Sequence, residues 1–247
     1  MSNTLTISVK ITVERTGEEF NTLEDWGLAV GNNNYIGDPV QETFYEDIPG
    51  ASAMLDLSEV LCNRPVFKHR PIKVLLGGKK PRLNWDSIIS TFRNKIDGKI
   101  VRLTFSNDPT FYWRGRVNIS NFDRTRELGQ FYMEIPMADP YKYDIFTSDD
   151  DWEWDPFDFE EGVIRYIGEI EINNTIIVVP RGNMLVVPVF IIKSVTGNLS
   201  VIHNGSRYPL SEGENRFPQI LVAGDKEVAL QFIGKGVGTI KYRGGSL

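Results

Sequence analysis

The chain has 247 residues, of which 41% are hydrophobic and 24% charged, and its formal net charge is -6 at pH 7. These values are typical of a soluble protein with one large or two modest domains. The acidic balance argues against a simple nucleic-acid-binding surface, and no apolar run approaches the roughly 20 residues of a membrane-spanning helix.

The N-terminal region is predicted to begin with a strand. Residues 5–13 alternate between apolar and polar side chains, which is the period of a half-buried strand. The residues before it lack the basic start and apolar segment of a signal peptide, so we expect assembly in the cytoplasm. Turn-forming residues at 31–39 predict a loop. The lone cysteine, Cys62, follows a leucine and is predicted to be a packed thiol.

One amphipathic helix is predicted after a basic strand over residues 65–76, which the glycines at 77–78 should end. Asn84 is the expected cap, Asp86 lies in the first turn, and Gly98 follows the last turn. The apolar residues recur at i, i+3, i+4, i+7 and i+11, and this predicted helix core is Trp85, Ile88, Ile89, Phe92 and Ile96.

A β-hairpin is predicted next, from strands over residues 99–105 and 110–120. Alternation places five residues of the second strand on one apolar face: Phe111, Trp113, Gly115, Val117 and Ile119. A further strand near residue 133 runs into the rigid turn at 138–143. This turn closes a predicted N-terminal domain, residues 1–144.

The charge is unevenly distributed along the chain. Residues 64–126 contain 15 Lys or Arg and 4 Asp, whereas residues 149–161 contain 8 acids and no base. The acidic run predicts an acidic, aromatic linker over residues 145–162. Three alternatives remain for this run. It could be a solvated linker, a metal site that lacks the glycine and distal glutamate of an EF-hand, or a segment that docks onto a basic surface.

The C-terminal region, residues 163–247, has short predicted strands separated by turn formers every eight to twelve residues or so. This spacing predicts a β-sandwich. Residues 234–238 faintly resemble a phosphate-binding loop, but no helix pattern follows to supply an anion-binding N-terminus. We therefore predict a turn between strands there.

Catalytic chemistry is not indicated. The two histidines, His69 and His203, lie in no nucleophile motif. The aromatic and basic residues at 112–116 could bind single-stranded nucleic acid, but alternation places Trp113 in a core. We predict no enzyme activity and no catalytic, cofactor-binding or metal residues.

Four segments, in their order along the chain, resemble the distal tail protein (Dit) family of phages that infect Gram-positive bacteria. They are a Gly-Leu element at 26–30, a Pro-Gly to Leu-Asp-Leu-Ser-Glu segment at 48–59, an aromatic-x-Gly-x-Val hairpin at 112–117, and the closing turn at 138–143. Ala53 and Ser58 depart from the family's usual glycine and threonine. The structural-motif residues carried over are Pro49, Gly50, Asp56, Gly115, Asp139, Pro140 and Tyr141.

The resemblance implies a mainly β protein. Its N-terminal domain would be β-rich, with one α-helix and a β-hairpin, and would form a hexameric ring. Its C-terminal domain would be a galectin-like β-sandwich. Such a ring is a structural hub at the virion tail tip, which joins the tail tube to the baseplate and lets DNA pass in transit.

The resemblance also implies partners and no cofactor. The partners are the tail tube protein, the tape measure protein, a tail-associated lysin or tip protein and, as a further candidate, a receptor-binding protein; no membrane is involved. A glycan- or host-surface-binding tail accessory module is the alternative, although no galectin-type set of sugar ligands is visible. A tail-tip enzyme is a third possibility, which lacks any locatable carboxylate pair.

Overall fold

The computed structural model describes seven stretches of the chain, which are residues 6–60, 64–79, 82–124, 128–150, 168–179, 184–222 and 227–247. Cys62 and most of the predicted linker lie outside them. The chain divides into two compact units. The first comprises Met1–Asp108 and Tyr112–Pro140, and the second comprises Pro109–Phe111 and Tyr141–Leu247. None of the helical segments described is both long and apolar enough to cross a membrane.

The first unit contains short early strands, one helix and four longer strands. They are β1 (Val9–Val13), β2 (Glu19–Asn21), β3 (Ala29–Val30), β4 (Tyr35–Ile36), β5 (Tyr45–Glu46), β6 (Leu55–Asp56), β7 (Arg70–Lys79), α1 (Arg82–Ile96), β8 (Ile100–Phe105), β9 (Asp108–Arg116), β10 (Asn118–Arg124) and β11 (Leu128–Ala138). Residues 109–111 of β9 are grouped with the second unit.

Two antiparallel sheets enclose the core of the first unit. One has the order β9-β8-β1-β2, and the other has the order β10-β11-β7-β3, with β4 also pairing with β7. In β1 the side chains of Val9, Ile11 and Val13 are buried, while Lys10 is exposed, as the alternation predicts. Strands β8 and β9 form the predicted hairpin.

Strand β7 differs from the prediction at both ends. It begins at Arg70 rather than residue 65 and continues through Gly77 and Gly78, which were expected to end it. Both glycines pair with β11. A Cβ atom on Gly78 would lie 2.6 Å from the carbonyl oxygen of Gly27. The glycine therefore permits a close approach of two backbones instead of forming a turn.

The strand predicted over residues 110–120 is interrupted. Strand β9 ends at Arg116, and β10 belongs to the other sheet. Between them, the N–H of Val117 donates to the carbonyl of Lys99 at 3.0 Å, and its carbonyl accepts from Gly98 at 2.9 Å. Phe111, which was predicted to share the apolar face, is only half-buried and lies in the second unit.

Helix α1 begins earlier than expected and ends as expected. It starts at Arg82, so Asn84 lies inside the helix rather than at its cap, and its first turn contains no acid. Asp86 therefore does not lie in the first turn. Gly98 has a φ of +73° just beyond the last turn, the left-handed conformation that commonly closes a helix.

The apolar stripe of α1 packs into the core of the first unit. Trp85, Phe92 and Ile96 are fully buried, Ile89 is nearly so, and Ile88 is partly buried against the same cluster. The ring of Phe92 lies 5.0 Å from that of Phe131 on β11 and 4.8 Å from that of Trp26. Trp113, Val117 and Ile119 belong to the same core.

The second unit is built from strands alone among its described residues. They are β12 (Lys142–Asp144), β13 (Ile170–Asn173), β14 (Ile176–Val179), β15 (Val189–His203), β16 (Ser206–Leu210), β17 (Gly213–Arg216), β18 (Val228–Lys241) and β19 (Gly245–Ser246). The predicted mainly β class is confirmed, with one α-helix among the residues that the structure describes.

Two long antiparallel strands, β15 and β18, organise this unit. One half of the pair carries β17 and β13 at its edges, and the other half carries β16 and β14. The halves meet through apolar side chains, since Phe190 from the first lies 6.1 Å, ring to ring, from Phe232 of the second. A second core, separate from that of the first unit, results.

The predicted turn at residues 234–238 is wrong, because these residues continue β18. Gly234 has a φ of +111°, and a Cβ atom there would lie 2.1 Å from the carbonyl oxygen of Asn198. The glycines allow the long strand to bend against β15, where the register shifts. The segment therefore has no phosphate-loop geometry.

Candidate functional site

The closing turn of the first unit is held by an ion-pair network centred on Arg114. The guanidinium donates to both carboxylate oxygens of Glu14, at 2.9 and 3.0 Å, and to Oδ2 of Asp139 at 3.2 Å. The Asp139 N–H also donates to the Arg114 carbonyl. Arg102 donates a further bond to Glu14 at 3.2 Å. Three parts of the chain, near residues 14, 102–114 and 139, are thus joined.

The electrostatics of this network favour its charged form. Hydrogen bonds from Arg114 and then Arg102 lower the pKa of Glu14, against the opposing effect of burial. The same bond from the other side raises the pKa of Arg114. Because these charges satisfy each other at short distances, they are suited to holding structure rather than to transferring protons.

A second arginine braces the same turn from within the first unit. Arg70, at the start of β7, is buried and donates from Nε to the carbonyl of Gly37 and from Nη1 to that of Pro140. Its guanidinium lies 4.8 Å from the centre of the Trp113 ring. Burial lowers the pKa of Arg70. His69 Nδ1 lies 3.0 Å from the Ala138 carbonyl oxygen.

Gly115 completes this cluster because a side chain would not fit there. A Cβ atom would lie 2.3 Å from Cγ2 of Ile135 and 3.1 Å from the Cα of Ala138. The structure therefore brings together Gly115, Asp139 and Pro140 among the predicted motif residues. Tyr141 follows, is half-buried and begins the longer of the two segments of the second unit.

The remaining motif residues, Pro49, Gly50 and Asp56, lie on a separate feature, the ribbon, defined as residues 40–60. Its strands β5 and β6 pair with each other, and Gln41 forms a bridge to Phe67 at its base. The tip is a turn in which the Ala51 N–H donates to the Ile48 carbonyl at 3.0 Å. Gly50 there has a φ of +85°. Proline followed by a glycine of positive φ is typical of a type II turn.

Asp56 has a local role in the ribbon. Its Oδ1 accepts from the Ser58 N–H at 2.9 Å, and the Ser58 hydroxyl in turn accepts from the Phe44 N–H at 2.9 Å. Hydrogen bonds from the side chain and then the backbone N–H of Ser58 lower the pKa of Asp56. Asp56 thereby fixes how the second strand leaves the ribbon.

The ribbon exposes apolar side chains to an unusual extent. Seven of them are between 46% and 68% exposed, namely Val40, Phe44, Tyr45, Ile48, Met54, Leu55 and Val60. No ribbon residue belongs to the core of the first unit as the structure describes it. Exposed apolar side chains concentrated in one short segment are typical of interaction sites.

The ribbon is also acidic. It carries Glu42, Glu46, Asp47, Asp56 and Glu59 and no Lys or Arg. The wider stretch 16–63 contains ten acids and no base. The ribbon is not among the features predicted from the sequence. Its signal is nevertheless present there, because residues 16–63 lack Lys and Arg altogether.

A basic groove lies elsewhere on the first unit, between the turn after β1 and the end of α1. The groove has a volume of about 870 Å³. Its lining residues define it, and they are Val13, Glu14, Arg15, Thr16, Gly98, Lys99, Ile100 and Arg116. The acid, Glu14, is engaged by Arg114 and Arg102, so the three bases give the groove a positive charge.

The other residues considered for metal binding or catalysis do not form a common site in the part of the chain that the structure describes. Within the described ranges, no group of three or more His, Cys, Asp or Glu side chains could hold a metal ion. Asp149, at the start of the predicted linker, forms an ion pair with Lys241 at 2.8 Å. Burial alone would raise the pKa of Asp149, but bonds from Lys241 and Thr147 bring it below its ordinary value. His203 lies beside Asn204 at the end of β15, in the second unit.

The architecture matches a solved phage protein along nearly its whole length. The Dit protein of phage SPP1 has a TM-score of 0.54 to this chain at 10% sequence identity, and the match covers 95% of this chain and 98% of that one. This chain has the Dit fold. Chains from two structures of the phage p2 baseplate in its activated conformation, with Sr and with Ca, also match. Their TM-scores are 0.46 and 0.47, their identities 8% and 10%, and 96% or more of each chain is covered.

No protein-family model and no curated protein matches the sequence. This chain and the Dit protein of SPP1 therefore share a fold although few of their aligned residues are identical. The match covers too much of the chain to come from one unit alone, so both units are included in the Dit fold.

Proposed function

We propose that this protein is a structural hub of a phage tail tip. The full-length match to the Dit protein of SPP1 carries the proposal, since that protein is described as a paradigm of the hub of the adsorption apparatus in phages that infect Gram-positive bacteria. Fold alone does not fix function. The surface features of the first unit add independent support, because a hub must present contact surfaces.

The hub forms a hexameric ring through the first unit, joins the tail tube to the baseplate and lets DNA pass through its hole. Two features support assembly. The ribbon exposes apolar side chains that a monomer leaves in water. The ion-paired cluster around Arg114 joins three parts of the first unit, which supports a defined surface for repeated contacts. Identical head-to-tail contacts that close make a ring.

The partners of the ring are other tail components: the tail tube protein, the tape measure protein, a tail-associated lysin or tip protein, and a receptor-binding protein. The protein acts without catalysis, at the tail tip of the virion, after assembly in the host cytoplasm. The non-catalytic role is supported by the charged cluster of the first unit, in which Arg114, Glu14 and Asp139 neutralise one another.

Native mass spectrometry of the full chain, with negative-stain microscopy, tests the ring. We expect a species of six times the 28.1 kDa chain mass and closed rings in the images. The measurement is repeated with the tail tube protein added, since assembly can depend on that partner. A chain that stays monomeric in both conditions contradicts the proposal.

A further inference from the structure

We propose that the basic groove binds an acidic segment of another tail protein, one that carries an apolar residue among its carboxylates. The inference rests on the hub function proposed above, because it names a surface through which the hub holds a partner. Three properties of the groove point to this chemistry: its preformed walls, its unneutralised bases and its mixed lining.

The walls of the groove are fixed by backbone hydrogen bonds. The Gly17 N–H donates to the carbonyl of Val13 at 2.8 Å, which closes the turn after β1. The Glu14 N–H donates to the carbonyl of Ile100 at 3.1 Å, which joins that turn to the start of β8. The groove is therefore formed before a ligand arrives, and a preformed site lowers the entropy cost of binding.

The bases of the groove are available to an anion. Among the residues that the structure describes, no carboxylate lies within ion-pair distance of Arg15, Lys99 or Arg116. Nη1 of Arg116 donates to the carbonyl of Gly98, which holds this guanidinium at the end of α1. A cleft lined by charge of one sign concentrates ligands of the opposite sign.

The acids next to the groove are already engaged by other groups. Glu14 accepts from the two arginines of the ion-pair network described above. Glu18 forms an ion pair with Lys95 at 3.4 Å, and Asp97 accepts from the Ile119 N–H at 3.2 Å. The positive charge of the groove is therefore not neutralised by its surroundings.

The lining of the groove indicates a polypeptide rather than a nucleic acid. Ile100 is half-buried there, and the hydrocarbon stems of the arginines and the lysine add apolar surface beside their charged ends. An apolar side chain flanked by carboxylates matches both parts. A nucleic acid carries a continuous row of phosphates, and the exposed acids Glu18 and Glu19 next to the groove would repel those that extend beyond it.

The acidic segments of this chain itself fit the groove less well. The ribbon exposes mainly apolar side chains, which the cations of the groove do not satisfy. Asp149, the first acid of the run at 149–161, is already paired with Lys241 within the second unit. The groove thus remains open to a different protein, and facing charges of opposite sign would steer that partner and fix its orientation.

Fluorescence anisotropy with labelled peptides tests the groove on the full chain. The probe is a short peptide in which one leucine lies between two pairs of glutamates, and its control has glutamine in place of every glutamate. We expect the acidic probe to bind at low ionic strength and to bind more weakly as salt is added, because salt screens exposed charges. The glutamine peptide should not bind. An acidic probe that does not bind either would overturn the proposal.

Removal of the groove's charge locates the binding. The groove variant carries Arg15→Gln, Lys99→Gln and Arg116→Gln, and we expect its affinity for the acidic probe to fall by roughly tenfold or more. A second variant with only Arg15→Gln and Lys99→Gln keeps the bond from Arg116 to Gly98 and should also bind more weakly. Thermal melts by circular dichroism verify that both variants fold.

The matched control removes three exposed bases of the second unit and has the same net charge as the groove variant. Its changes are Lys193→Gln, Arg216→Gln and Lys235→Gln. We expect the control to bind the probe like the parent. Equal weakening in the control would show that the overall charge of the chain, and not the groove, attracts the peptide.

Cross-linking with the tail proteins tests the partner itself. The full chain is mixed in turn with the tail tube protein and the tip protein and treated with a zero-length carbodiimide, which joins a carboxylate to a neighbouring amine. Lys99 is the only lysine of the groove. We expect a peptide that joins Lys99 to an acidic residue of one of these proteins, and its absence with both would overturn the assignment of the partner.

The remaining occupants are outcomes of the same experiments, and each would overturn the proposal. A labelled thymidine oligonucleotide that binds more tightly than the peptide, and is lost in the groove variant, would make the groove a nucleic-acid site. Probe binding that appears only after the acids at 149–161 are replaced by amides would make the chain's own acidic run the occupant. A ring that forms without probe binding leaves the hub function standing, whereas a monomer that binds the probe leaves the groove standing and removes the ring.

Discussion

At the scale of single residues, charged side chains in the first unit connect segments that lie far apart in the sequence. Arg114 joins Glu14 to Asp139, and Arg70 joins the loop at Gly37 to Pro140. These bonds span 25 to 100 residues of sequence. No local pattern could predict the partners, although the closing motif itself was visible in the sequence.

The Glu14→Gln variant should lose about 1 kcal/mol of stability at neutral pH, because a neutral amide replaces the carboxylate that accepts from Arg114. The lowered pKa of Glu14 sets the pH dependence. Its contribution is complete above the ordinary value of 4.5 and is lost as pH falls through the lowered folded value. Denaturant midpoints of parent and variant should converge in acid.

The control for this variant is Glu24→Gln, which removes the same charge at an exposed position. It should have a midpoint close to that of the parent at neutral pH. A Glu14→Gln deficit that persists unchanged below the lowered pKa would show that the carboxylate charge is not what stabilises the turn.

The Gly115→Ala variant should lose about 1–3 kcal/mol through overpacking, because its Cβ would meet Ile135 and the backbone at Ala138. The cost should be partly relieved by Ile135→Ala, since that change removes the nearest atom. A double-mutant cycle from urea unfolding measures this coupling. Strictly additive losses would mean that the backbone, and not Ile135, excludes the side chain.

At the scale of elements, the periodic patterns predicted those helices and strands whose burial is set by local geometry. The stripe of α1 from Trp85 to Ile96 and the alternation of β1 could be read directly, because burial on one face imposes a fixed period. The helix start could not, since α1 extends two residues before the expected cap at Asn84. Helix ends fray and shift by one or two residues, so a cap residue alone does not fix where a helix begins.

Other elements depend on partners far away in sequence. The break at Val117 comes from backbone bonds to Gly98 and Lys99, and the continuation of β7 through Gly78 comes from its packing against Gly27. The bend of β18 at Gly234 likewise follows from β15. Glycine alone signals either a turn or a close approach, and only the tertiary structure decides between them.

The Phe92→Ala variant should lose about 3–5 kcal/mol, because the ring is fully buried between Trp26 and Phe131. Arg93→Ala, on the exposed face of the same helix, is the matched control and should change the stability of the folded chain by less than about 0.5 kcal/mol. Guanidinium midpoints compare the two. Equal midpoints would mean that α1 does not seal the core.

At the scale of the whole molecule, the chain has two separate cores. One contains α1 and the two sheets of the first unit, and the other lies between the halves of β15 and β18. The predicted boundary at residue 144 and the linker at 145–162 remain predictions. The charge is also partitioned, since the acidic stretch 16–63 precedes the basic block 64–126.

We expect the two units to unfold in separate thermal transitions, because each buries its own apolar cluster and gains its cooperativity there. Differential scanning calorimetry of the full chain tests this with one core variant in each unit. Phe92→Ala should lower the midpoint of one transition, and Phe232→Ala, which removes a fully buried ring of the second core, should lower the other. Each should leave the partner transition in place. A single transition that both variants shift equally would show that the chain unfolds as one cooperative body, and that the proposed division into domains is wrong.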